Sequence, residues 1–138
     1  MCLITEQKKA IRTKEDMIVW RNVREEYNGA VSSVYRTFEW KEGEVYKTRM
    51  DLSQDPICYD FDVRREYGLI YIPNPSLQTT LSALNLKAIG RGFHAFMDID
   101  RADDSEPIRQ FLIPAGSLIY KDKTGLIVSN QIMMLPNK

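Results

Sequence analysis

The chain has 138 residues, 43% of them hydrophobic, and equal numbers of basic and acidic side chains, 19 of each. That size and composition suit a single ordered domain over residues 1–138 with a substantial core, and exclude a disordered tail. A formal charge of zero speaks against nonspecific nucleic-acid binding, which needs a basic excess to release counterions from phosphates. It leaves room for a local basic pocket that takes a small anion.

The two cysteines, Cys2 and Cys58, and the lone His94 do not show the ligand spacing of a zinc site, so no metal and no cofactor is expected. At the N-terminus the charges follow a very short apolar run, the reverse of a secretory signal. No run approaches the roughly 18 apolar residues of a membrane span. The expectation is a cytoplasmic protein with reduced thiols and no membrane partner.

Read in chain order, Cys2-Leu3-Ile4 predicts a short edge strand, and Lys8 to Asp16 mixes both charges as a solvated connection. Met17 to Val23 predicts a strand with Met17, Val19, Arg21 and Val23 on one face and Ile18, Trp20 and Asn22 on the other. Arg21 thus shares a face with apolar residues, either as a snorkelling strand-end arginine or as an anion ligand at a pocket mouth. Asn28-Gly29 marks a turn, Val31 to Trp40 reads as a strand, and Lys41-Glu42-Gly43 turns Glu44 to Thr48 back onto it. Tyr35, Trp40 and Tyr46 are candidates for stacking a base or, alternatively, for core and cross-strand packing.

Met50 to Tyr67 carries no readable periodicity; Asp60 and Asp62 lack a calcium-loop pattern and read as surface charge. Leu69 to Pro73 predicts a short strand, and Ser76 caps a helix over Leu77–Asn85 with Leu77, Leu81 and Leu84 as its apolar stripe. After Gly90-Arg91-Gly92 comes a strand in which Phe93 and Ala95 oppose His94 and Phe96, then a short helix over Ile99–Asp104 capped by Asp98 or Asp100. The clearest stretch is Phe111 to Leu135. Its apolar runs Phe111–Ile113, Leu118–Tyr120 and Leu126–Val128 are separated by Pro114-Ala115-Gly116 and by Lys121 to Gly125, which predicts strands joined by tight turns, with Gln131–Leu135 as a further strand. The fold class is α+β: a mainly antiparallel, twisted sheet or pair of sheets with one or two short helices.

A Ser-His-Asp or Cys-His mechanism would have to use His94, and neither a G-x-S-x-G elbow nor a P-loop is present. No catalytic residue is assigned. Met1 to Thr5, Ile18-Val19-Trp20-Arg21, Gly92 to Phe96 and the block from Ile113-Pro114-Ala115-Gly116 through Tyr120 and Gly125 to Val128-Ser129-Asn130 resemble small proteins of Bacteroidota and their phages or prophages. The resemblance implies a phage or mobile-element accessory protein in the cytoplasm of a bacterial host cell. Trp20-Arg21, Gly92-Phe93 and Ile113-Pro114-Ala115-Gly116 also resemble elements of ADP-ribosyltransferase-type domains. His94-Ala95-Phe96 departs from the Ser-Thr-Ser pattern of that family, however, and Gly125 to Val128 lacks the catalytic Glu, so the resemblance implies an inactive relative.

Three functions remain. The first is non-enzymatic binding of a small anionic or nucleotide-like ligand, such as a host defence signal to be sequestered, with Arg21, Tyr35, Trp40 and His94 as ligand-binding residues. The second is a structural or protein-interaction module, a virion accessory or an inhibitor of a host protein, which engages its partner through strand edges. The third is an enzyme, either a degenerate ADP-ribosyl-type one or a hydrolase using His94 or Asp60 and Asp62. A homo-oligomer is compatible with all three.

Overall fold

The computed structural model describes residues 3–26, 29–33, 38–52 and 85–136. Within them lie β1 (Leu3–Thr5), β2 (Ile11–Arg12), β3 (Met17–Glu25), β4 (Val31–Ser33), β5 (Glu39–Trp40), β6 (Val45–Lys47), β7 (Asp51–Leu52), β8 (Lys87–Arg91) and β9 (Phe93–Phe96). A 3-10 turn at Ile99–Arg101 follows, then β10 (Ile108–Ile113), β11 (Leu118–Lys121), β12 (Leu126–Ser129) and β13 (Gln131–Met134). A large sheet runs in the order β2-β11-β12-β9-β3-β10-β13-β6, with β4 and β5 attached to β3, and a small sheet runs β1-β8-β7. Every strand pairing is antiparallel.

The expected antiparallel sheets are therefore present, but the described architecture is all-β rather than α+β. Its helical content is the single 3-10 turn, where the Asp98 carboxylate accepts a hydrogen bond from the Asp100 amide at 3.0 Å. The helix expected at Leu77–Asn85, the strand at Leu69–Pro73, Asp60, Asp62 and Cys58 lie outside the described residues. Two other expectations are corrected. Val31 to Trp40 is not one strand: β4 and β5 pair with each other, Val31 opposite Trp40. Nor does Glu44 to Thr48 fold back onto that segment; β6 instead pairs with β13, Tyr46 opposite Ile132. Burial decides this, because Tyr46 there joins the large core alongside Ile132.

One residue controls the curvature of the large sheet. Asn130 alone separates β12 from β13, yet three strands lie between them in the sheet order. In a flat sheet four strand spacings of about 4.8 Å would hold them about 19 Å apart, whereas two peptide units reach only about 7 Å. The sheet has to roll until the two meet. Asn130 belongs to both sides of the seam: its amide donates to the Leu118 carbonyl at 3.1 Å, its Oδ1 accepts from the Leu118 amide at 2.9 Å, and its carbonyl accepts from Thr48 at 2.9 Å. Ser129, fully buried beside it, bonds through its hydroxyl to both the amide and the carbonyl of Gln131.

Rolling divides the side chains between two cores. The concave face holds Val19, Val23, Ala95, Phe111, Ile113, Ile119, Ile127, Ile132 and Met134, together with Trp40 from β5. The convex face of β11, β12 and β9 is covered by the small sheet, where Leu3 and Ile89 meet Leu126 and Val128, flanked by Phe96, Tyr120 and Met50. At 25–30 cal/mol per Å² of apolar area, these two clusters supply the driving force that local strand propensity lacks.

The tight link between β8 and β9 depends on Gly92, which has φ +142°; a Cβ there would sit 3.0 Å from Met50 Cγ and 3.3 Å from Val128 Cγ1. Gly92→Ala is expected to lower the unfolding free energy by roughly 1–3 kcal/mol through backbone strain and displacement of Met50. Urea denaturation of the two proteins measures this, and unchanged stability would show that the link relaxes.

Candidate buried arginine and indole site

Strand alternation sets the site. Arg21 occupies the concave face between Val19 and Val23, as its sequence position predicts, and Arg109 of β10 lies directly across from it. Two like charges on paired strands repel, and the two arginines have different solutions. Arg109, only 7% exposed, donates from Nη2 to Glu42 Oε1 at 3.0 Å and to the Leu135 carbonyl at 2.9 Å. Arg21 donates from Nη1 to the main-chain carbonyl of His94 at 2.6 Å and has no carboxylate partner among the described residues.

In place of a counter-ion Arg21 has aromatic faces. Its Cζ lies 5.1 Å from the Trp40 ring centroid and 5.8 Å from that of Phe111. Such cation–π contacts contribute about 0.5–2 kcal/mol, less than a buried charge loses on leaving water. Burial accordingly lowers the Arg21 pKa to about 10, which still leaves it charged at neutral pH. Arg21 Nε is fully covered and has no hydrogen-bond acceptor, and Trp40 Nε1 is in the same condition. Native proteins seldom leave such groups unpaired, and here two occur on touching side chains.

Trp40, 4% exposed, is the hub of a ring cluster: Phe38 at 4.6 Å, Phe111 at 5.0 Å, Tyr46 at 5.2 Å and Phe93 at 5.9 Å between centroids. Of the two roles expected for Trp40, stacking a base or packing in the core, its surroundings correspond to the second: its ring is already taken up by neighbours, and what it offers is its N–H. The outermost ring is Phe38, 37% exposed. Arg21 itself keeps a partly exposed surface, so the cluster is close to solvent.

His94 does not join this site. It pairs with Val128, and its side chain faces the convex side of the sheet, away from Arg21. Its ring nitrogens lie 3.2 Å from the carbonyls of Gly92 and Ile89. A neutral imidazole has one N–H and can serve only one of these carbonyls at a time. Tyr35 lies outside the described residues. The residues missed from sequence are Arg109, Phe111, Phe93 and Phe38. Arg109 carried the same signal as Arg21, a lone charge in the alternating apolar row Arg109, Phe111, Ile113.

Burial, the dominant cause, lowers the His94 pKa from 6.5 to about 4, against the opposing pull of the Ile89 and Gly92 carbonyls. The unfolded chain therefore takes up a proton below pH 6.5 that the folded one refuses until about pH 4. Stability should fall as pH drops through that window, by about 2 kcal/mol between pH 7 and pH 5. Urea midpoints across this range check it, with His94→Gln expected to flatten the profile; an equally steep profile in the variant would assign the dependence to other groups.

Among the described residues no helix is long and apolar enough to cross a membrane, and no three His, Cys, Asp or Glu side chains gather to hold a metal ion. Comparison with protein-family models, curated proteins and solved structures finds nothing that matches this chain.

Proposed function

We propose that the protein is a non-enzymatic binder of a small anionic, nucleotide-like ligand held by Arg21 and Trp40 within the ring cluster. The observation that carries this reading is the pair of unpaired, buried N–H groups, Arg21 Nε and Trp40 Nε1, beside a guanidinium that has no carboxylate partner among the described residues. A buried charge kept without a counter-ion lowers stability, and function is a common reason for retaining such a feature. The ligand supplies the missing negative charge and the missing acceptors. Both donors are covered in the free protein, so binding requires the outer rings, Phe38 foremost, to move aside. In a phage-encoded accessory protein such binding would serve to sequester a host signalling molecule.

Arg21→Met tests this in two ways. Without ligand it should be stabilising by roughly 1 kcal/mol, because the unpaired buried donor disappears while the apolar stem remains. With ligands screened by thermal shift against NAD, ADP-ribose and cyclic nucleotides, it should abolish the shift that the native protein shows. A destabilised Arg21→Met with unchanged ligand response would reduce Arg21 to a packing element.

A second reading has its own observation. On the convex face the strands β3, β10, β13 and β6, which the small sheet does not cover, carry a row of cross-strand neighbours, Ile18, Leu112, Met133 and Val45. Ile18 is 43% exposed and Val45 42%. Such a row beside the edge strand β6 favours a protein-interaction module. Under this reading a partner that co-purifies in fixed stoichiometry is lost in Leu112→Lys with the melting temperature kept near native; retention of the partner would remove the face from consideration.

A further inference from the structure

The Arg21 site limits what its ligand is, an inference that rests on the binding function proposed above. Charge is the limit. Arg109, on the same face, is already neutralised by Glu42 at 3.0 Å, so Arg21 brings one uncompensated positive charge to a wall of aromatic rings. A ligand with one negative charge closes the balance. A second negative charge would be left among Phe111, Phe93 and Trp40 without a second cation beside it, or would rely on exposed Lys41 and Lys47, whose hydrated charges are screened.

The two buried N–H groups suit such a singly charged ligand. Nη1 of Arg21 is committed to the His94 carbonyl at 2.6 Å. Arg21 Nε and Trp40 Nε1 are buried donors with no acceptor among the described residues, and the guanidinium carries further N–H groups on Nη1 and Nη2. Two donors satisfy a group with two acceptor oxygens.

We infer from this charge balance that the site takes a monoanion on an apolar or aromatic body, a carboxylate or a phosphodiester, and discriminates against phosphate monoesters and polyphosphates. Within the nucleotides this selects cyclic phosphodiesters over linear phosphates and over pyrophosphate-linked cofactors. The acid group lies against Arg21 and Trp40 while the body replaces the outward rings.

Isothermal titration of the full chain at pH 7.5 against adenosine, cyclic AMP, AMP, ADP and indole-3-acetate tests this, since AMP carries close to two charges there. The expected result is that cyclic AMP or indole-3-acetate binds roughly tenfold or more tightly than AMP and ADP, that adenosine is weaker still, and that Arg21→Met removes the preference. Which of the two monoanions wins separates a phosphodiester site from a carboxylate site. AMP or ADP binding as tightly as cyclic AMP, with dependence on Arg21, would overturn the charge limit and leave the binding site standing. Binding that persists in Arg21→Met, or no binding by any of the five at millimolar concentration, would overturn both. Arg21→Lys, which keeps the charge but loses the Nε donor, is the second variant: it should bind both monoanions more weakly yet still prefer them to adenosine.

Discussion

Because only Asn130 stands between β12 and β13, the large sheet cannot lie flat, and much of the molecule follows from that geometric requirement. Two strands that three others separate have to meet at one residue, so the sheet curls and one of its faces becomes an interior. Phe111, Ile127, Ile132 and Met134, which come from four separate positions along the last 30 residues or so of the chain, converge there with Val19 and Trp40. The same closure that makes a core out of half-buried strands also puts Arg21 and Arg109 inside it, since both sit at the inward phase of their strands.

An interior with two arginines poses an electrostatic problem, and the fold answers it asymmetrically. Arg109 reaches toward Glu42 and the end of β13, while Arg21 reaches toward β9 and spends one donor on a main-chain carbonyl. Removing Arg109 alone would leave Glu42 and the Leu135 carbonyl without their donor, whereas Arg21 has no such ion pair to break among the described residues. Arg109 has an evident structural role in tying the Glu42 turn to the sheet. Arg21 has no counter-ion to tie among the described residues, and its contacts with Trp40 and Phe111 only partly offset its desolvation. The difference between the two residues, more than the presence of an arginine as such, makes the Arg21 cluster a candidate site.

Much of this was legible in the sequence and some was not, for physical reasons. Period-two alternation gave β3, β9 and the C-terminal strands, and it assigned Arg21 to the apolar face and His94 to the opposite phase from Ala95. Alternation is local, so it could not show that His94 and Arg21 end up on opposite sides of one sheet, which requires the Trp20–Phe96 register between β3 and β9. The misplacement of β6 has the same origin: a turn at Gly43 suggested a hairpin, whereas Tyr46 gained more by packing beside Ile132 and Trp40. For Trp40 the sequence left base stacking and core packing both open, because a strand aromatic looks the same in sequence whether its face is free or covered by four rings.

The central claim is that Arg21 Nε–H and Trp40 Nε1–H are donors without acceptors in the free protein. Nitrogen-15 NMR addresses it directly, because the chain has two tryptophans and a Trp20→Phe variant assigns the indole signal of Trp40. The account predicts an indole proton and an Arg21 Nε proton at upfield positions typical of unbonded N–H, both slow to exchange with water and both moving downfield together when an anion binds. Downfield, hydrogen-bonded shifts for both groups in the ligand-free protein would contradict it, and the cluster would then be an ordinary satisfied part of the core.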